Sequence, residues 1–275
     1  MAYIKSAELD TLTKRTLADA VAAAFFEVHP EITTTVKLLK PANVTSKTSK
    51  HSPQTVIRQI IETIAEITRL TLLHGGAVRL QNIGSLTATR NAGRRGVRDI
   101  QSAEVRELPP FNSATLKSSR FPNVKFELSH SGMISILEEL HPVRLPYLKE
   151  IFKLFLAKIG EIQNGKTELE IRGLGRFSPS LLAPRQVRNP RTGLSHTVES
   201  SIVIRFRCSK SLKELLDQKG EELFSKGVSS WDELLFLYKL HLEEKDAEKN
   251  SDEGMKSILG DVKSAASSSG VDAQD

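Results

Sequence analysis

Arginines flank the short sequence Arg188-Asn189-Pro190-Arg191-Thr192-Gly193, and a further arginine, Arg185, stands just ahead of it. Asparagine and glycine tolerate positive φ, so the sequence predicts a tight turn at the tip of a two-stranded ribbon. Guanidinium groups on such a ribbon gain from the negative potential of a narrow DNA minor groove. A proline at the tip is a rigid apolar wedge that can enter between base pairs. From these residues alone, a plain hairpin turn and a ribbon that enters a DNA groove both remain open.

The sequence contains two further sets of cations, one on both sides of this turn and one about 90 residues earlier. Arg205 and Arg207 are two residues apart, so on a strand they share one face, opposite Ile204 and Phe206. These two arginines belong to the first set, which is Arg172, Arg176, Arg205, Arg207, Lys210 and Lys213. For the first set, phosphate contact and a solvated strand face both remain open. The second set lies in a glycine-rich stretch and is Arg90, Arg94, Arg95 and Arg98. This cluster suits phosphate binding without sequence readout, and a solvated loop is the alternative.

No catalytic or cofactor-binding constellation accompanies these cations. The 7 histidines are scattered, and the sequence has no Cys-x-x-Cys, His-Glu-x-x-His or phosphate-loop signature. We therefore expect no enzyme activity, no metal and no cofactor. The single cysteine, Cys208, excludes an internal disulfide and fits a reducing compartment. The net charge of +6 permits an anionic partner, and no apolar run reaches the ~20 residues of a membrane helix, so we expect no membrane partner.

The elements that must position these residues follow one order twice. Hydrophobic periodicity and caps predict helices over 13–28 and 52–74, and alternation predicts strands on both sides of a turn at Asn82–Gly84. Residues 112–119 are predicted as a short terminal helix. The pattern recurs with helices over 130–140 and 146–163, strands over 168–172, 176–182 and 202–207, and a helix over 209–216. The spacing of about 90 residues indicates an internal repeat.

A further helix is predicted over 219–245, with Trp231, Leu234, Leu235, Tyr238 and Leu242 among its apolar residues. These residues recur at helical spacing. They either pack back on the chain or offer a docking surface, from Trp231 to Leu242, for a protein partner. The last residues are rich in Ser, Ala, Asp and Lys, and their low content of large apolar residues predicts disorder.

The segment Arg172–Leu216 resembles the strand–arm–helix half of a subunit of the HU/IHF family. The resemblance rests on the hairpin sequence Gly173–Phe177, the tip Arg188–Gly193, and Phe206 followed by Lys210, Leu212 and Lys213. The segment departs from the family pattern in that Leu174 replaces an aromatic residue, Val187 replaces a glycine, and Glu199-Ser200 replaces Pro-Ala. The first half is more diverged, because Asn82–Leu86 and Gly96 fit the family positions but Val97-Arg98-Asp99 replaces the Arg-Asn-Pro tip.

The resemblance implies an α+β fold with two tandem HU/IHF-like domains, each with a helical base, a hairpin sheet with an extended arm and a short terminal helix. We expect a diverged domain with a shortened arm over residues 1–122, a domain with a full arm over 123–220, an extra helix over 221–245 and a disordered tail over 246–275. HU-type folds are dimeric. The two copies therefore pair within the chain as a pseudo-dimer, or each pairs with its counterpart in a second chain.

The function implied by the resemblance is that of a non-enzymatic architectural protein. It would bind and bend double-stranded DNA through minor-groove arm contacts and phosphate contacts with low sequence specificity, and so act in DNA condensation and chromosome organisation. The location implied is intracellular, in the nucleoid or another DNA-containing compartment. The alternative is an HU-fold scaffold for protein binding in a eukaryotic cytoskeletal or ciliary assembly. The degenerate first arm and the Trp231–Leu242 helix favour that alternative, and the intact Arg188–Gly193 tip disfavours it.

Overall fold

The structure is a computed structural model that describes residues 9–41, 51–98, 105–117, 124–188, 191–220, 227–245 and 247. The predicted tail, apart from residue 247, lies outside the described residues. The chain divides into two units, Met1–Trp231 and Asp232–Asp275.

Local caps explain where the first helices begin. The Thr13 side chain accepts from the Thr16 N–H in a capping box, and Ser52 accepts from Thr55 with Pro53 at the first helical position. Both helices were predicted and both are confirmed. The elements of this half are β1 (Asp10–Thr13), α1 (Lys14–Val28), α2 (Thr35–Leu38), α3 (Pro53–Leu73), β2 (Ala77–Leu80), β3 (Gly84–Asn91), β4 (Arg94–Arg98), β5 (Val105–Leu108) and β6 (Phe111–Lys117).

The second half follows nearly the same order. Ser129 caps its first helix, and the chain leaves the long helix through a 3-10 turn, Glu161–Asn164, that ends at Gly165 with φ 76°. The predicted helices and strands of this half are confirmed to within a few residues at their ends. They are β7 (Glu127–Leu128), α4 (His130–Leu140), α5 (Leu145–Gly160), β8 (Thr167–Ile171), β9 (Gly175–Leu182), β10 (Arg185–Arg188), β11 (Ser195–Val198), β12 (Ser201–Cys208) and α6 (Lys210–Lys219).

The helix expected over residues 112–119 is not formed in the described part of that segment, residues 112–117. Phe111–Lys117 is instead strand β6, paired antiparallel with β3 from Ser85↔Lys117 to Asn91↔Phe111. The segment has the alternation of a strand, because Asn112 and Ala114 are buried while their neighbours are less so. Pairing with the open edge of β3 outweighs the weak helical propensity of this Ser/Thr/Asn-containing stretch. In the described residues no helix lies between β6 and β7.

Each of the two four-stranded sheets contains a strand from the other half of the chain. Their orders are β1-β8-β9-β12 and β6-β3-β2-β7. Strand β1 runs parallel to β8, and β7 runs parallel to β2, so the exchange is reciprocal. The edge strands β6 and β12 contact each other. Two-stranded ribbons, β4–β5 and β10–β11, continue from the sheets.

The core lies between the helices and the two sheets, and β3 is buried on both faces from Gly84 to Ala88. Helix α1 packs against α3 of its own half and α5 of the other half, and the Phe25 and Tyr147 rings meet edge to face at 5.9 Å. Ile57, Ile60, Ile64 and Ile67 are buried along α3. The loops also meet, since Leu39 pairs with Val143 and the Arg144 N–H donates to the Leu38 carbonyl.

The 231–245 helix has apolar residues on more than one face. Leu234, Leu235 and Tyr238 are buried. Phe236 is 61% exposed, and Trp231, Leu240 and Leu242 are also exposed. The sequence predicted a helix over 219–245, and its first part is wrong: α6 ends at Lys219, the described residues 227–230 are not helical, and the helix begins at Trp231. Residues 221–226 lie outside the described residues.

Candidate nucleic-acid interface

The β10–β11 ribbon carries the arm residues predicted from the sequence. Its register pairs Arg185 with Val198 and Arg188 with Ser195. Alternation places Gln186, Arg188, Ser195 and Thr197 on one face, which is therefore wholly polar. The opposite face carries Arg185, Val187, His196 and Val198. One ribbon thus offers a hydrogen-bonding face and a mixed face, and every residue of β11 is exposed.

The tip of this ribbon is braced by one of the predicted contact residues. The Arg188 Nε–H donates to the Gly193 carbonyl at 3.0 Å, across the turn, and Gly193 has φ 72°, which favours glycine. Arg191 lies at the turn and is exposed, while Asn189 and Pro190 lie outside the described residues. Arg188 therefore has a positioning role in addition to the predicted contact with DNA.

The cations of the β12 sheet face are partly matched by carboxylates. Arg176 and Arg207 are directly opposite across β9 and β12, and Phe177 and Phe206 form the neighbouring pair on the other face, with ring centroids 4.8 Å apart. Arg176 donates to Glu168 at 3.1 Å and to Glu170 at 2.8 Å. Glu168, whose side chain is 3% exposed, also accepts from Thr11 on β1. This acidic pair was not predicted from the sequence, although the alternation of β8 places both carboxylates on one face.

The start of α6 lies between two basic clefts. Ser209 caps the helix by accepting from the Leu212 N–H. A cleft of about 430 Å³ is lined by Arg172, Arg176, Arg207 and Lys210, with Glu170 also present. A second cleft of about 490 Å³ shares Arg207 and Lys210 and extends to Lys213. Together the clefts bring into one region the predicted cations Arg172, Arg176, Arg207, Lys210 and Lys213. A helix N-terminus adds its own partial positive charge.

Other predicted cations lie elsewhere or have protein partners. Arg205 is half-buried on β12 and Arg207 beside it is exposed. The Lys213 Nζ lies 4.2 Å from the centroid of the Phe111 ring, a contact that the sequence analysis missed. In the first half Arg90 lies near the end of β3, and Arg94, Arg95 and Arg98 lie on β4.

The first ribbon is not shorter than the second in residue count. Residues 92–110 separate the last β3–β6 pair, Asn91↔Phe111, while residues 183–200 separate Leu182↔Ser201 in the second half. These counts differ from the expectation of a shortened first arm. The two ribbons differ in tip sequence instead, and residues 99–104 of the first tip lie outside the described residues.

The described part of the chain contains no group of three or more His, Cys, Asp or Glu residues arranged to hold a metal. Among the described helices, none has the length and apolarity of a membrane span. Burial raises the pKa of the Cys208 thiol, which favours the unreactive protonated form. Burial also lowers the pKa of His141 to about 4.

The comparisons with known proteins concern the second half. The family described as bacterial DNA-binding protein matches residues 128–217, a segment that contains α4, α5, β8 to β12 and most of α6. A solved chain, from an Anabaena HU–DNA cocrystal structure, has 21% identity and a TM-score of 0.27, with 30% of this chain and 89% of that chain covered. Integration host factor subunit beta of Mannheimia succiniciproducens is 30% identical over 83 residues, which are 30% of this chain and 88% of the relative.

The corresponding subunit of Actinobacillus succinogenes is 31% identical over 94 residues, covering 34% of this chain and 100% of the relative. The chain belongs to the HU/IHF family. The HU/IHF segment includes the second ribbon and the clefts at α6, so the predicted resemblance is confirmed for the part of the chain that carries them.

Proposed function

We propose that this HU/IHF-family protein is a non-enzymatic architectural protein that clamps and bends duplex DNA with low sequence specificity. The β10–β11 ribbon carries this proposal, because its exposed strands present arginines on both faces of an arm braced at its tip by Arg188. A two-stranded ribbon fits a DNA groove, and the residues proposed to enter it are Arg185, Arg188, Asn189, Pro190 and Arg191.

The proposed phosphate contacts lie on the body. The clefts at the start of α6 carry Arg172, Arg207, Lys210 and Lys213. Arg176 contributes less in this proposal, since two carboxylates already balance its charge. Arg205, Arg90, Arg94, Arg95 and Arg98 extend the basic surface. Backbone contacts of this kind position a protein without reading sequence.

We further propose that residues 1–122 and 123–220 are two HU-like domains that pair within the chain as a pseudo-dimer. Three observations support the pairing. The β1–β8 and β7–β2 exchange is reciprocal, corresponding loops meet at Leu39 and Val143, and α1 packs across the halves on α5. The 231–245 helix and the tail would be additions to this unit. The location that follows from DNA binding is a DNA-containing compartment such as the nucleoid.

The test is binding of the full-length protein to a random duplex of about 30 bp across a salt series. Arg185→Ala/Pro190→Ala/Arg191→Ala removes two arm charges and the wedge. Lys149→Ala/Lys153→Ala removes two exposed charges from α5 and is the matched control. Log K should fall linearly with log salt, and the slope should be smaller by about 2 in the arm variant only. Energy transfer between end labels should show less bending in that variant.

An absence of binding at low salt would overturn the DNA proposal and leave the HU-fold scaffold as the better candidate. The observation that favours a scaffold is the 231–245 helix, which exposes Phe236, Leu240 and Leu242. Equal binding and equal bending by both variants would mean that the basic surface binds DNA without the ribbon.

A further inference from the structure

A pocket of about 550 Å³ lies at the base of the first ribbon, outside the proposed groove contacts. It is lined by Phe111, Pro110, Arg90, Lys213 and Asp217. Its size is that of pockets which take small ligands, about 300–1,000 Å³. The Phe111 side chain is 37% exposed, unusual for an aromatic residue on a paired strand.

Buried and partly buried hydrogen bonds join two of the elements that line this pocket. The Asn112 backbone N–H donates to Asp217 Oδ1 at 2.5 Å, and its side-chain amide donates to the Leu216 and Gly220 carbonyls at 3.0 and 3.2 Å. These bonds join β6 to the end of α6, although 104 or more residues separate the partners in sequence. The Phe111 ring and the α6 side chains are therefore held side by side, with the Lys213 Nζ 4.2 Å from the ring centroid.

The lining matches one class of ligand. A flat aromatic group can stack on Phe111 beside Pro110, and the cations Arg90 and Lys213 can meet an attached phosphate. Resting on the DNA-binding function proposed above, we propose that the pocket receives an unpaired nucleobase of the bound DNA. The base displaces the Lys213 ammonium from the ring, and the released ammonium pairs with the phosphate. Stacking of a base on an aromatic side chain is the stronger contact at an exposed ring, so the exchange is favourable.

Among the described residues of the second half, no aromatic side chain stands at the position equivalent to Phe111. The register places Ser201, opposite Leu182, where the first half has Phe111 opposite Asn91. The first ribbon also lacks the Asn-Pro tip sequence. In this assignment the two halves therefore act differently, the second through its arm tip and the first through the Phe111 ring, in a pocket that Lys213 and Asp217 of the second half complete.

The experiment compares an intact duplex of about 30 bp with the same duplex carrying one unpaired 5-iododeoxyuridine. The full-length protein should bind the bulged duplex about tenfold more tightly. Phe111→Leu should reduce that ratio toward one while binding to the intact duplex changes less than about twofold. Phe236→Leu, the same substitution at another exposed aromatic residue, is the control and should keep the full ratio.

Irradiation of the unsubstituted protein on the bulged duplex should cross-link the iodinated base to Phe111. This measurement does not depend on the folding of any variant. A cross-link elsewhere, or a bulge preference that Phe111→Leu leaves unchanged, would overturn the base pocket while the DNA-binding proposal stands. Failure to bind either duplex would instead remove the DNA-binding proposal on which the pocket rests.

Discussion

At the scale of single residues, the charge of the proposed DNA-binding face depends on carboxylates as much as on arginines. Glu168 is buried under Arg176, and Glu170 is half exposed beside it. Arg176 was predicted from the sequence to contact a phosphate. The sequence shows which residues of a strand are cations, but it does not show their partners on the next strand. Partner identity depends on the β8–β9 register, which pairs Glu170 with Arg176.

Replacing the exposed carboxylate should strengthen DNA binding. Glu170→Gln removes a negative charge close to the proposed phosphate path and frees part of the Arg176 charge. A unit charge about 6 Å from a phosphate in water changes the affinity by roughly threefold, more at low salt. Duplex titrations at two salt concentrations measure the change. The control is Glu150→Gln on α5, which likewise removes a carboxylate from an ion pair, here with Lys153. It should leave the affinity unchanged, and an equal gain in this control would indicate a nonspecific charge effect.

His141 makes the stability of the protein depend on pH. Its ring Nε2 lies 2.9 Å from Thr63 Oγ1, and burial lowers its pKa to about 4. The unfolded chain therefore takes up the proton first as pH falls below the usual histidine value, about 6.5. The stabilisation is complete above that value and is lost as pH falls toward 4, by up to about 2 kcal/mol at pH 5. Denaturant unfolding at pH 7 and pH 5 should show this loss, and His141→Gln should reduce it; an identical loss in the variant would exclude His141 as its source.

At the scale of elements, most helices could be predicted because their signals are local in the sequence. The helices have apolar periodicity, and four of them begin at capping residues, which are Thr13, Ser52, Ser129 and Ser209. Strand β6 was missed because its strand character comes from pairing with β3, a contact that local sequence does not show. The arm lengths were misjudged for the same reason. Of the candidate site, the cations were predicted, but Phe111, Asn112 and Asp217 were not, since their partners lie far away in the sequence.

Asn112 should be the most sensitive polar residue of strand β6. Asn112→Ala removes two side-chain hydrogen bonds to carbonyls of the α6 end and leaves both poorly satisfied. Leaving buried groups unpaired costs about 1–3 kcal/mol, so the free energy of unfolding should fall by about 2 kcal/mol. Asn91→Ala on the paired strand β3 loses one half-buried bond to Ser113 and should cost less than about 1 kcal/mol. Equal losses in a urea titration would argue against the β6–α6 connection as the main role of Asn112.

At the scale of the whole molecule, two reciprocal strand exchanges join the halves of one chain. Each exchanged strand covers a sheet edge that would otherwise expose unpaired backbone groups. Residues of α1, α3 and α5 share one apolar core across the halves. One chain can complete these contacts by itself. Two chains that exchange the same elements would make identical contacts between molecules.

These two arrangements differ in how unfolding depends on protein concentration. For the intrachain pseudo-dimer the unfolding midpoint is independent of concentration, because folding involves one molecule. For an exchanged homodimer, mass action raises the midpoint by the equivalent of about 1.4 kcal/mol for each tenfold rise in concentration. We expect a constant urea midpoint over a hundredfold range and a 30.5 kDa species in sedimentation. A midpoint that climbs with concentration, together with twice that mass, would show that the β1–β8 and β7–β2 pairs form between chains.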